Sequence, residues 1–149
     1  MYDVTNLFQK YRDDVYRLAV SYTRSREEAE EICQTVFVKL IEQQDLQSGK
    51  EKSWLMQVTA NECRSLLRSA WWKKTVPMDE TLSAEKTPFN QVLHSVLKLE
   101  PKYRVVVYLH YYEGYSTREI GKLLKISQSA VTTRLSRARQ VLKTELKEV

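Results

Sequence analysis

Glycine and proline are scarce in this sequence, with three of each among 149 residues. Both residue types supply the backbone geometry of tight turns, so a fold rich in β-hairpins would need more of them. Apolar residues instead recur at steps of three and four along much of the chain. The sequence therefore predicts an all-α fold.

Cysteine and histidine are equally rare. Cys33 and Cys63 form no CxxC pair and have no histidine cluster beside them, which argues against a disulfide framework or a metal site. His94 and His110 stand alone in helical patterns, without the paired carboxylates or the His/Asp set of a small nuclease. We therefore expect a protein that is not an enzyme, with no cofactor and no small-molecule substrate.

Long apolar runs are also missing. No segment approaches the roughly 18 apolar residues that cross a bilayer, and the first residues lack the basic and apolar regions of a signal peptide. The sequence predicts a soluble, cytoplasmic protein.

The charge of the chain is unevenly distributed. Residues 1–49 contain six Lys or Arg and nine Asp or Glu, a net charge of −3. Residues 87–149 contain eleven Lys or Arg and five Asp or Glu, a net charge of +6. This asymmetry indicates two surfaces with different partners.

The pattern of the first half predicts a helical bundle. Apolar stripes predict one helix over about 7–22 and another over about 29–41, which a capping box of Ser25 and Glu28 begins. A third helix is predicted over about 53–72. Together they define an N-terminal helical domain, residues 1–74.

The second half reads as a separate small module. Residues 75–90 lose the periodicity and contain two prolines, which indicates a linker. Residues 91–149 then hold a short helix, a helix entered at Pro101, and a capping box of Ser116 and Glu119 that starts the next helix. A tight turn and a last helix follow, the pattern of a helix-turn-helix.

The last helix, within KISQSAVTTRLSRARQVL (125–142), has two different faces. At 100° per residue, its apolar residues fall on one packing side, while hydroxyls and arginines occupy the rest. Short hydroxyl side chains suit close approach to base edges, and arginines reach phosphates or fork onto guanine. The candidate DNA-binding residues are Ser129, Thr132, Thr133, Arg134, Ser136, Arg137 and Arg139.

The third helix carries a second polar face. An amide, two guanidinium groups, a hydroxyl and an indole line up on it, a set that provides hydrogen bonds, phosphate neutralisation and stacking for unpaired bases. The residues are Asn61, Arg64, Ser65, Arg68 and Trp72. The other interpretation is that the tryptophans belong to the core and the basic residues merely end a helix.

Three stretches resemble one family along nearly the whole chain. They are DVYRLAVSYTRSREEAEEICQTVFVKL (14–40), KSWLMQVTANECRSLLRS (52–69) and LEPKYRVVVYLHYYEGYSTREIGKLLKISQSAVTTRLSRARQVL (99–142). In this order and spacing they are similar to the extracytoplasmic-function (ECF) sigma factors of bacteria. That resemblance implies a sigma-2 domain, a linker and a sigma-4 helix-turn-helix domain, acting together in transcription initiation.

The resemblance also implies partners. The acidic second helix would bind the clamp helices of the largest subunit of core RNA polymerase, through Glu31, Gln34 and Phe37. The polymerase flap and promoter DNA are further expected partners, together with an anti-sigma factor that could hold the protein near the membrane.

The same resemblance divides the DNA contacts. The face around Asn61 would bind and melt the −10 element. The last helix would read the −35 element through Thr132, Thr133, Ser136 and Arg137, with Arg134 and Arg139 on phosphates.

Two departures from the family pattern affect these expectations. Ser65 replaces an aspartate that is common in the family, which leaves the −10 sequence preference open. Gly121 replaces a frequent alanine, which costs up to about 1 kcal/mol of helix stability unless close packing needs a glycine there. The main alternative is a helix-turn-helix regulator that acts without polymerase. This interpretation gives no function to the acidic helix or to the face around Asn61.

Overall fold

The computed structural model describes residues 3–43, 46–69 and 88–147, so Trp72 and most of the predicted linker lie outside the described residues. Every regular element within those ranges is helical, which confirms the all-α prediction. The chain divides into two compact units, Met1–Pro77 and Met78–Val149.

The N-terminal unit contains α1 (Val4–Thr23), α2 (Arg26–Glu42) and α3 (Glu51–Arg68). The Asp3 carboxylate caps α1 by accepting from the Thr5 N–H at 3.0 Å, and Ser25 caps α2 by accepting from the Glu28 N–H at 3.2 Å. Each cap satisfies backbone donors that a helix start leaves without partners.

All three helices contribute one face to a common core. The fully buried side chains of this core, each less than 2% exposed, are Val15, Leu18, Ala19, Ala29, Val36, Leu40, Leu55, Met56, Ala60 and Cys63. Thr59 is buried as well, and its hydroxyl is satisfied by donating to the Leu55 carbonyl oxygen at 2.6 Å. Burial of these stripes, rather than helix propensity, is what stabilises a unit of this size.

Two details of the predicted bundle are wrong. The third helix ends at Arg68, because Ser69 has an extended backbone (φ −70°, ψ 144°) and its hydroxyl donates to the Leu66 carbonyl oxygen at 2.7 Å. Ile41, predicted on the core stripe, is 65% exposed. Leu40 occupies the core position at that turn, and the next residue lies 100° further round the helix.

The two cysteines are free and buried in this core. Burial raises the pKa of the Cys33 thiol to about 11, with the nearby Arg12 charge opposing the shift, and burial also raises the pKa of Cys63. Both groups are therefore protonated and weakly nucleophilic at neutral pH.

The C-terminal unit contains α4 (Pro88–Leu97), α5 (Pro101–Val107), a π-helical segment (Tyr108–Tyr112), α6 (Thr117–Leu124) and α7 (Gln128–Lys147). Pro101 stands in the first turn of α5, as predicted, where a helix tolerates proline. The core of the unit consists of Val96, Leu97, Leu99, Val105, Val106, Val107, Leu109, Ile120, Leu123, Leu124, Val131, Leu135 and Ala138.

One cation lies within this core. Arg104 is only 2% exposed, and its Nη1 donates to the carbonyl oxygen of Leu99 at 2.6 Å. That carbonyl belongs to the connection between α4 and α5. The side chain therefore holds the connection against the body of the unit.

Replacing Gly121 by alanine is expected to lower the free energy of unfolding of this unit by about 1–2 kcal/mol. A Cβ there would lie 2.9 Å from the Ile126 carbonyl oxygen and 3.5 Å from the Gln128 nitrogen, so the turn would have to shift. The helix-propensity gain of alanine, about 1 kcal/mol, offsets only part of that strain. This close approach is the packing reason for a glycine at a position where alanine is frequent.

Chemical denaturation of Gly121→Ala, followed by far-ultraviolet circular dichroism, measures the change. Lys122→Ala is the matched control, since Lys122 is the exposed neighbour on the same helix and its loss should change stability by less than about 0.5 kcal/mol. A Gly121→Ala protein at least as stable as the wild type would contradict the close packing.

Candidate nucleic-acid interfaces

The turn between α6 and α7 is set by local interactions. Ser116 and Glu119 form the predicted capping box, with the Glu119 N–H donating to the Ser116 hydroxyl at 3.1 Å and the Ser116 N–H donating to the Glu119 carboxylate at 2.9 Å. Lys125 ends α6 in the left-handed conformation (φ 60°). Ser127 then caps α7 by accepting from the Ala130 N–H at 3.0 Å. These interactions form the helix-turn-helix that the sequence predicts.

The capping box gives the start of α6 a pH dependence. The hydrogen bonds from Ser116, backbone first, lower the pKa of Glu119 below its ordinary value. A carboxylate with a lowered pKa stabilises the fold above its unfolded-state pKa, and this contribution is lost as the pH falls through the folded-state value. The cap is therefore complete at neutral pH.

The outer face of α7 carries the residues that the sequence assigns to DNA. Val131, Leu135 and Ala138 are buried on the opposite side. Arg134 is half-buried, and the other six candidates are exposed: Ser129, Thr132, Thr133, Ser136, Arg137 and Arg139. The structure thus places all seven on one helix, with hydroxyls and guanidinium groups available to a polyanion.

Two of these side chains already have partners. The Thr132 hydroxyl donates to the Gln128 carbonyl oxygen at 3.1 Å, so its oxygen can still accept a hydrogen bond. The Arg139 Nη1 donates to the Tyr111 hydroxyl at 2.7 Å, which holds the guanidinium in place while leaving it further donors. Arg139 is therefore pre-positioned for an anion such as a phosphate.

Sequence reasoning missed the role of Tyr111. It lies in the π-helical segment, is 53% exposed and packs edge-on against His110 at 4.9 Å between ring centroids. The Nδ1 of His110 lies 2.8 Å from the Tyr115 carbonyl oxygen and donates to it, since that oxygen can only accept. Helical periodicity carries no signal for a π-helical turn, which places Tyr111 towards α7 rather than in the core.

The second polar face lies on α3. Asn61, Ser65 and Arg68 are exposed and Arg64 is half-buried, at steps of three and four. The Arg64 Nη2 donates to the Asn61 side-chain oxygen at 2.6 Å. The bond engages the oxygen of the Asn61 amide, so the NH2 group of that amide keeps the capacity to donate to a base or a phosphate. The predicted fifth member, Trp72, lies outside the described residues.

The acidic side of α2 presents a third surface. Glu31 and Gln34 are exposed, and they line an open depression together with Thr35, Val38, Lys39 and Glu42. Partial burial, and then the charges of Glu31 and Glu27, raise the pKa of Glu28 above its ordinary value. Like charges that repel one another in the free protein favour a basic partner.

Phe37 does not share this surface. It is 5% exposed, and its ring meets the Phe8 ring edge-on at 4.8 Å between centroids. Two apolar residues that the sequence interpretation did not assign to the surface are exposed instead, Val38 at 53% and Ile41 at 65%. Their exposure is a tertiary outcome that the apolar stripe alone does not reveal.

An ion pair joins the α2 surface to α3. The Lys39 ammonium contacts the Glu62 carboxylate, and Glu62 is the neighbour of Asn61 in the sequence.

In the part of the chain that the structure describes, no three or more His, Cys, Asp or Glu side chains come together to hold a metal ion. None of the described helices is both long and apolar enough to span a membrane.

Two protein-family matches cover the two units. The sigma-70 region 2 family matches residues 7–73, and the sigma-70 region 4 family matches residues 89–142. The first match includes α2 and α3 with their polar faces, and the second includes the helix-turn-helix.

Characterised relatives match over most of their length. The chain is 30% identical to the ECF RNA polymerase sigma factor SigM of Bacillus subtilis, over 94% of this chain and 93% of that protein. It is 27% identical to SigW of the same organism, over 93% of this chain and 86% of that protein.

Solved structures support the fold. The sigma factor RpoE of Bartonella quintana, solved in complex with the anti-sigma factor NepR, superposes with a TM-score of 0.75 at 19% identity, covering 96% of each chain. CnrH, solved with the cytosolic domain of CnrY, gives 0.68 at 21% identity, covering 97% of this chain and 88% of CnrH. At these identities the likeness concerns the fold alone.

The paired sigma-70 regions, their arrangement along the chain and the 30% identity to SigM lead to one conclusion: this protein belongs to the ECF RNA polymerase sigma factors, non-enzymatic proteins that direct transcription initiation.

Proposed function

We propose that this sigma factor contacts the promoter at two points, with α7 reading the −35 element and α3 capturing and opening the −10 element, while α2 binds core RNA polymerase. One observation carries the proposal. Each unit exposes its own nucleic-acid-type face, of hydroxyls and arginines on α7 and of an oriented amide and arginines on α3. One protein with two such faces suits a promoter in which one element stays duplex and the other opens.

The chemistry of α7 suits the major groove. Thr132, Thr133, Ser136 and Arg137 are proposed to face base edges, since hydroxyls both donate and accept and arginine forks onto guanine. Ser129, Arg134 and Arg139 are proposed to contact the backbone, which fixes the position of the helix on the duplex. Tyr111 supports this assignment of Arg139, because its hydroxyl holds the guanidinium at 2.7 Å.

The chemistry of α3 suits an unpaired base. Extruding a base from the stack costs a few kcal/mol, which hydrogen bonds and phosphate contacts must offset. Asn61 is proposed to bond the extruded base, with Arg64 orienting its amide, and Ser65 and Arg68 are proposed to contact the adjacent backbone. Trp72 is proposed as a stacking partner from sequence alone.

The acidic surface of α2 is the proposed contact with the clamp helices of the largest polymerase subunit. Glu31 and Gln34 supply charge and hydrogen bonds there, and the exposed Val38 and Ile41 supply apolar area beside them. Phe37 is proposed to contribute indirectly to polymerase binding, because its packing on Phe8 fixes the position of α2. The polymerase flap is the proposed partner of the C-terminal unit.

Domain limits and regulation complete the proposal. We propose a sigma-2 domain at residues 1–74, a linker at 75–90, whose last three residues begin α4, and a sigma-4 domain at 91–149. An anti-sigma factor is a proposed partner, supported by the complex of RpoE with NepR. The proposed location is the cytoplasm, where such a factor could hold the chain near the membrane.

Run-off transcription tests the whole assignment. The full chain with core polymerase is expected to start transcription at a defined subset of genomic fragments, and mapping the start sites gives both promoter elements. Co-migration with core polymerase in size exclusion is the companion measurement. A chain that stays free of polymerase yet binds duplex DNA would instead be a polymerase-independent regulator.

Replacing Arg137 by alanine is expected to weaken promoter binding by about 1–3 kcal/mol, because a base contact is lost. Titration of holoenzyme onto duplexes with single changes in the −35 element measures this. The control is Arg134→Ala, which should weaken binding to all duplexes alike. It should also reduce the dependence of the binding constant on salt concentration by the amount expected for about one phosphate contact. An unchanged base preference in Arg137→Ala would remove this residue from the base-reading set.

Replacing Asn61 by alanine is expected to slow open-complex formation more than closed-complex binding. The amide acts only on the extruded base, so binding to the −35 duplex should keep its wild-type affinity. Permanganate footprinting of unpaired thymines follows the melting, and a gel-shift titration follows the duplex binding. Equal losses in the two assays would count against the −10 assignment.

A further inference from the structure

An exposed hydrogen bond joins the first residues of the two helices of the helix-turn-helix. The Gln128 Nε2 at the start of α7 donates to the Thr117 Oγ1 at the start of α6, at 2.9 Å across eleven positions of sequence. Gln128 is exposed and Thr117 is half-buried. The base-facing set derived from the sequence contains neither residue.

Folding alone gives little reason for this bond. The start of α7 is capped by Ser127, and the start of α6 is capped by Ser116 with Glu119. A hydrogen bond in contact with water contributes little net stability, and fixing a glutamine side chain costs a comparable free energy in rotamer entropy. The main effect of the bond is therefore to hold an exposed amide in one orientation.

The held amide has the groups that recognise adenine. A glutamine side chain has two N–H donors and one carbonyl oxygen, and Thr117 takes only one donor. The remaining N–H and the Oε1 match adenine N7 and N6 in the major groove. Thr132 lies one turn further on the same side of α7, since its hydroxyl bonds the Gln128 carbonyl oxygen.

Thr117 has a complementary capacity. Its oxygen accepts from Gln128, so its hydroxyl proton can donate to a phosphate oxygen of the same duplex. A phosphate contact at the start of α6 would then fix Thr117, which in turn fixes the Gln128 amide. Thr117 and Gln128 would thereby link a contact with the DNA backbone to the recognition of a base.

We infer that Gln128 is a specificity-determining residue for the −35 element, that it reads one adenine in the major groove, and that Thr117 is its positioning residue. This role rests on the proposed function, because it requires α7 to lie in the groove of that element. It adds one base contact at the N-terminal end of the outer face of α7.

Selection from a promoter library tests the inference. The full chain with core polymerase selects from duplexes that keep a functional −10 element and have a randomised −35 element. The wild type is expected to prefer adenine at the position that Gln128 reads. Gln128→Ala should lose about tenfold or more of that preference at this position alone. Gln128→Glu should move it to cytosine, whose N4 amino group donates to a carboxylate.

Two further variants separate base reading from a structural effect. Thr117→Val keeps the shape but removes the hydroxyl, so it should weaken the adenine preference in the wild type and have little further effect in Gln128→Ala. Gln140→Ala is the matched control, an exposed glutamine about 18 Å further along α7, and should leave the profile unchanged.

The two levels of failure give different results. If Gln128→Ala and Gln128→Glu select the same −35 sequences as the wild type, Gln128 is not a reader and the inference is overturned. If wild-type holoenzyme selects no −35 sequence at all, the proposed role of α7 itself is wrong.

Discussion

Replacing Arg104 by alanine is expected to lower the free energy of unfolding of the C-terminal unit by about 4 kcal/mol. Truncating a large, fully buried side chain leaves a cavity that costs about 2–5 kcal/mol. The carbonyl oxygen of Leu99 also loses the Nη1 donor at 2.6 Å, and a buried acceptor without a partner costs about 1–3 kcal/mol. Small domains have only about 5–15 kcal/mol in total, so the unit would be close to unfolding.

Two variants separate the causes. Arg104→Met keeps much of the buried stem and removes only the guanidinium, so it should cost less than Arg104→Ala, by roughly the cavity contribution. Lys102→Ala is the control on the same helix, because Lys102 is exposed and its loss should change stability by less than about 0.5 kcal/mol.

The sequence provides a way to observe the two units separately. All three tryptophans, Trp54, Trp71 and Trp72, belong to the N-terminal unit, so tryptophan fluorescence follows that unit alone during urea unfolding. Far-ultraviolet circular dichroism follows both units. Arg104→Ala should leave the fluorescence transition unchanged and shift part of the dichroism transition to lower urea. If both transitions match those of the wild type, Arg104 is not essential to the core.

The helix-turn-helix could be predicted from the sequence because its determinants are local. Ser116, Glu119 and Ser127 cap their helices through bonds that span three residues, and Val131, Leu135 and Ala138 follow the period of a single helix. Caps and periodicity of this kind act without reference to the rest of the fold. The polar face of α3 could be predicted for the same reason, through four residues at steps of three and four.

The features that could not be predicted depend on contacts distant in sequence or on unusual backbone geometry. Arg104 resembles a solvated residue at the start of a helix, yet a carbonyl group from the preceding connection makes it part of the core. Ile41 fits the apolar stripe of α2 but lies beyond the area that the other helices cover. The bonds from Arg139 to Tyr111 and from Gln128 to Thr117 join different elements, so the periodicity of a single helix carries no signal for them.

The surface of α2 yields the prediction with the second large effect. Glu31→Lys combined with Gln34→Ala is expected to weaken binding to core polymerase by about 2–4 kcal/mol, roughly 30-fold to 1,000-fold. The change replaces an attractive charge by a repulsive one in an acidic cluster, where partial burial, and then the charges of Glu31 and Glu27, already raise the pKa of Glu28. It also removes an amide from the exposed depression beside Val38.

Competition between the labelled wild-type chain and the unlabelled variant for core polymerase measures this loss of affinity. The matched control combines Glu100→Lys with Gln140→Ala, the same two chemical changes at exposed positions of the C-terminal unit. That control should remain within about threefold of the wild type, because few residues contribute most of the binding energy of an interface and an exposed side chain outside it contributes little. The α2 variant should keep its circular dichroism spectrum, since both altered side chains are exposed. A variant that competes as well as the wild type would show that α2 does not bind polymerase, and the exposed apolar pair Val38 and Ile41 would then need another partner.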